Sequence, residues 1–67
     1  MKILITQSRL SRQWHGSIIA GNNEIIYTQE PVHNLQDAID TALSLRKAGL
    51  QCHIIVKQHN GTEEEIK

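Results

Sequence analysis

The sequence predicts an α+β domain: a small, largely antiparallel sheet in the order β-β-β-α-β, with or without a final strand, and one helix packed on one face. Three stretches carry that prediction. Two apolar runs flank Gly21-Asn22-Asn23, a single amphipathic segment begins at Asn34, and an alternating run follows at residues 51–57.

The first segment, residues 2–6, holds Ile3-Leu4-Ile5, an aliphatic and β-branched run that suits a buried strand. Residues 7–13 are polar around one aliphatic residue, Leu10, and read as a loop. Residues 14–20 and 24–28 form a hairpin. With Asn22-Asn23 as a two-residue turn, Ala20 opposes Ile25 and Ile18 opposes Tyr27. Trp14, Ile18, Ala20, Ile25 and Tyr27 then share one face, and Ile19 and Ile26 share the other.

Pro31 lacks the N–H that a ladder needs and ends this strand. Asn34 is a good N-cap, with Asp37 at the third helical position. Leu35, Ala38, Ile39, Ala42 and Leu43 recur at helical spacing as one apolar stripe, while Gln36, Asp37, Asp40, Thr41 and Ser44 face away. Arg46 and Lys47 suit the negative end of the macrodipole, and Gly49-Leu50 predicts a Schellman stop. Beyond it, Cys52, Ile54 and Val56 alternate with His53 and Ile55. Asn60-Gly61 then signals a turn, after which residues 62–66 return as an edge strand whose three glutamates discourage further pairing.

At 67 residues the chain is one domain, 1–67. A domain near this size buries roughly 60% of its unfolded surface, so a partner copy or a ligand would add burial that the core alone cannot supply. The single cysteine, Cys52, excludes an internal disulfide framework and points to a reducing compartment. The amino-terminal apolar run is too short for a signal sequence or a membrane span, so the expected location is cytoplasmic. Seven Lys+Arg balance seven Asp+Glu. A net charge of zero gives no overall pull toward nucleic acid or an anionic membrane.

The hairpin and helix resemble the small YegP-like domains, a family of unknown molecular function. The matching residues are Trp14, Asn22, Glu24-Ile25-Ile26, Thr28, Glu30, Ala38 and Ala42. The family's usual glycine is replaced by Asn23 and its serine by Gln29, and Val32 stands where an aromatic is common. The resemblance implies a fold and no chemistry. A more distant likeness, in the strand order and the Asn34-Leu35-Gln36-Asp37-Ala38 helix start, is to the N-terminal domain of the HicB antitoxin family. That likeness implies a toxin partner and association with DNA.

If the helix covers one sheet face, the other presents Leu4, Ile19, Ile26 and Ile55, a cluster more apolar than a small solvated surface normally carries. A second copy would cover it, face to face or edge to edge, and the expectation is a homodimer. The competing arrangement is a monomer in which the N-terminal loop folds over that face.

Candidate chemistry is sparse. His15, His33, His53 and His59 lack metal-ligand spacing, so no metal and no cofactor is expected. Cys52 falls on the core side, where a thiol is a small hydrophobe, and neither a phosphate loop nor a nucleophile elbow is present. The chain is therefore not expected to be an enzyme. Its most suggestive polar stretch is residues 8–14. Arg9 and Arg12 offer planar bidentate donors for a phosphate and Trp14 offers a stacking face, an expected ligand-binding set for a nucleotide-like anion. The function these features favour is a small, self-associating, non-enzymatic binding or inhibitory module. It would capture a protein partner or a small anionic ligand, and by size it would suit a phage accessory protein. A nucleic-acid-associated regulator of the HicB type is the alternative, and zero net charge weighs against it.

Overall fold

The computed structural model describes residues 1–66. Its elements are β1 (Lys2–Gln7), β2 (Trp14–Ile19), β3 (Ile25–Thr28), α1 (Leu35–Lys47), β4 (His53–Lys57) and β5 (Glu63–Ile66). The strands form one sheet in the order β3-β2-β1-β4-β5, and α1 lies on one face, packing against β1 and β2. This is the α+β domain that the sequence predicts.

Three of the four strand pairs are antiparallel. The exception is β1 with β4, which run parallel in the register Ile3↔Ile54 and Leu4↔Ile55. Parallel neighbours cannot be joined by a tight turn, so α1 is the crossover that carries the chain from β3, past β2 and β1, to the far side of β1. Unbroken apolar runs, Ile3-Leu4-Ile5 and Ile54-Ile55-Val56, occupy these two strands, with Ile3, Ile5, Ile54 and Val56 buried and Leu4 and Ile55 half-buried on the face without a helix.

Beneath the helix the alternation of β1 and β4 places Ile3, Ile5, Ile54 and Val56 against Ala38 and Ala42, and all six are buried. The two alanines add little bulk, which lets the helix axis approach the isoleucines closely. Leu35, Ile39, Leu43, Leu45, Leu50 and Ile66 close the margins of this core.

Both ends of α1 fall where the sequence places them, with different chemistry. Asn34 has the extended backbone of an N-cap (φ −109°, ψ 138°), yet its side chain makes no capping hydrogen bond. The C-terminus is a full Schellman motif. Gly49 sits at φ +109°, its N–H donates to Arg46 O at 3.1 Å, and the Leu50 N–H donates to Leu45 O at 3.1 Å. Arg46 extends the lock by donating from Nη2 to Cys52 O at 3.0 Å and Ile66 O at 3.5 Å.

The hairpin between β2 and β3 corrects the predicted register. Its loop has three residues, 21–23, because Asn23 takes a left-handed conformation (φ +67°) while the Asn23 N–H donates to Ala20 O and the Ala20 N–H donates to Glu24 O, each at 2.9 Å. Ala20 therefore closes the turn with Glu24 and does not oppose Ile25. Ile25 pairs with Ile19, a bulge absorbs Ile26, and Tyr27 returns opposite Ile18. Ile18–Tyr27 pairing is as expected. Ile25, however, belongs to the face away from the helix and not with Trp14, Ile18 and Tyr27.

Candidate functional site

The helix sits over the centre of the sheet and stops short of its β3 edge. The step between them is a groove of about 600 Å³. Trp14, Ile18 and Tyr27 form its floor, and Ala38, Thr41 and Leu45 form the helical wall. Trp14 is fixed there by backbone bonds to Val32 in both directions, the Trp14 N–H donating at 2.7 Å and the Val32 N–H at 2.8 Å. That bridge brings the segment after β3 back against β2 and closes one end of the groove.

Polar groups punctuate the apolar lining. Gly16, buried opposite Ile5, leaves space that the Gln29 side chain occupies, since a Cβ built on Gly16 would lie 2.6 Å from Gln29 Oε1. Among the described residues neither the Gln29 carboxamide nor the Trp14 indole N–H has a hydrogen-bond partner, and no buried side-chain polar atom is unsatisfied. Both groups are therefore open to solvent in the groove and able to bind. Glu30 adds a carboxylate at the rim.

A second, shallower hollow of about 380 Å³ lies between Gln7, Arg9, Arg12 and His59. Gln7 organises it, donating from Nε2 to Arg12 O at 2.9 Å while its Oε1 meets His59 Nε2 at 2.8 Å. Arg9 and Arg12 thus meet in one hollow, and Trp14 lines the other. The three residues expected to grip one nucleotide-like anion do not share a cavity. The loop that carries the arginines is ordered by its own bonds, Ser8 N–H to Gln13 O and Arg12 N–H to Ser8 O, each 2.9 Å, with Arg12 at φ +60°.

On the face away from the helix, Leu4 and Ile55 are adjacent across the parallel pair and partly exposed, and Ile19 is buried at 8%. Ile26, the bulged residue, is 57% exposed. Leu10 is fully exposed, so the N-terminal loop does not fold over this face. The exposed apolar surface concentrates on β3, where Ile25 is 61% exposed and Ile26 and Tyr27 are each 57% exposed.

No family model, curated protein or solved structure matches this chain.

The zero net charge of the chain hides an uneven distribution. Between Gln13 and Leu45 the charged residues are Glu24, Glu30, Asp37 and Asp40, with no lysine or arginine. Every residue that lines the groove belongs to this block. Of these acids Glu30 alone lines the groove, together with His15, and Arg9 and Arg12 stand just outside the block in sequence. Summing charge over the whole chain cancels this separation; a running sum along the chain displays it. Gln29 and Val32 lie in a connector and have no signal in the periodicity, whereas Leu45 stands three residues after Ala42 and seven after Ala38, a spacing that extends the apolar stripe. No group of His, Cys, Asp or Glu able to hold a metal ion occurs among the described residues, and no helix is long and apolar enough to cross a membrane.

Proposed function

We propose that this chain is a small, non-enzymatic binding module that self-associates, with β3 and the adjoining groove as its contact surface. The observation that carries this reading is the run Ile25-Ile26-Tyr27, three consecutive large apolar residues that are each more than half exposed on an edge strand. Exposed apolar surface of this kind, rimmed by polar groups, is characteristic of protein contacts. The opposite edge supports the assignment by contrast. There β5 carries Glu63, Glu64 and Glu65, all exposed, and like charges facing one another would oppose pairing of that edge with its own copy.

A small anionic ligand is the less favoured guest of the groove, because Trp14 shares it with Glu30 and with no lysine or arginine, His15 being the one nitrogen base in the lining. A phosphate would meet repulsion there. The same acidic block weighs against a nucleic-acid role for this surface.

Sedimentation equilibrium tests the proposal. At tens of micromolar the expected species is heavier than the 7.6 kDa monomer, and Tyr27→Glu is expected to return it to monomer with the circular dichroism of the native fold. A wild-type monomer at these concentrations would overturn the reading.

A further inference from the structure

We infer that the groove between α1 and β3 receives the arginine loop of a second copy, Leu10 entering the apolar floor while Arg9 and Arg12 meet the Glu30 carboxylate at the rim. This inference rests on the self-association reading and specifies how it is achieved.

Each half of the contact is incomplete alone. Leu10 is the most exposed residue among the large hydrophobics, at 100%, and it stands on a loop held in one shape by its own backbone and side-chain bonds. A fully exposed leucine on an ordered loop, flanked by two exposed arginines, is a preorganised apolar plug with a basic collar. The groove is its chemical complement. Trp14, Ile18 and Leu45 supply an apolar seat, Glu30 and His15 are the ionisable groups of the lining, and Asp37, outside the lining, lies one helical turn before Thr41. The loop does not fill the groove of its own chain, since Leu10 touches nothing there. A second copy carries the missing piece. Reciprocal exchange, loop into groove twice, gives the isologous contact of a closed dimer. The unpartnered Gln29 carboxamide is placed to bond to the backbone of the incoming loop.

Charge reversal on either side tests the match without touching the core. Arg9→Glu with Arg12→Glu sets an acidic loop against the Glu30 carboxylate. Glu30→Lys with Asp37→Lys sets a basic groove against a basic loop. Each variant alone is expected to dissociate about 100-fold more readily than wild type, since like charges brought together across a contact cost several kcal/mol. An equimolar mixture is expected to form heterodimer, because both loop–groove contacts then pair opposite charges. Native mass spectrometry resolves the mixture by mass, and circular dichroism checks each fold. Leu10→Ser, an uncharged change at a fully exposed position, is expected to weaken the wild-type dimer and to shift the emission of Trp14, the single tryptophan, as its groove empties. Variants that stay dimeric, or that stay monomeric when mixed, would overturn the loop–groove contact while leaving self-association standing. A wild-type monomer would instead remove the self-association reading itself, and this inference with it.

Discussion

Strands β1 and β3 have nearly the same composition and opposite fates. Ile3-Leu4-Ile5 at the centre of the sheet has Ile3 and Ile5 sealed at 0% exposure, whereas Ile25-Ile26-Tyr27 at the edge stands more than half in solvent. Position explains the difference. Between β2 and β4, β1 is paired on both sides and roofed by Ala38 and Ala42, but β3 is paired on one side and α1 does not reach it. Apolar residues at the centre hold the fold together. The same kind of residue at an edge is surplus to the fold, and it is there that a binding role is to be sought.

The largest expected effect breaks the buried half. Ile54→Ala, which empties space between β1, β5 and the helix, should cost about 2–5 kcal/mol of unfolding free energy in urea titration, enough to unfold much of so small a domain. Ile25→Ala, the same chemistry on the exposed strand, should change monomer stability by no more than about 0.5 kcal/mol and yet weaken self-association. Equal costs for the two substitutions would erase the distinction between the strands.

A smaller effect separates the two ends of the helix. Gly49 holds φ +109° and a Cβ added there would meet nothing within 4 Å, so Gly49→Ala should cost about 1 kcal/mol through backbone strain alone, measurable as a lowered thermal midpoint. Asn34→Ala should cost only a few tenths of a kcal/mol, below the usual cap penalty, because the Asn34 side chain makes no capping bond. The smallest effect belongs to the far edge. His53 Nδ1 and Glu65 Oε2 lie 3.1 Å apart with side chains 72% and 45% exposed, so His53→Ala should leave stability and association unchanged within error.

Much of this architecture is legible in the residues. Helical spacing, the Gly49-Leu50 stop and the apolar runs identify every element and the helix face that is buried. The register of β3 is not legible, because a two-residue and a three-residue loop are both compatible with Gly21-Asn22-Asn23, and the choice depends on Asn23 adopting φ +67°. That one residue moves Ile25 to the other face. Nor does the strand order follow from periodicity, which cannot say that β4 pairs with β1 and so leaves β3 at an edge. The groove follows from that placement, together with a helix that covers the sheet centre only. Trp14, Arg9 and Arg12 stand out by their chemistry, but local sequence does not reveal that Trp14 lines the groove beside the helix while the arginines line a separate hollow.

The most direct test is a dilution series of amide spectra by nuclear magnetic resonance on the wild-type chain. Self-association through the β3 groove predicts concentration-dependent shifts at Leu10, Trp14 and Tyr27, with Glu63, Glu64 and Glu65 on the opposite edge unmoved. Spectra that do not change with concentration, or changes confined to β5, would contradict it.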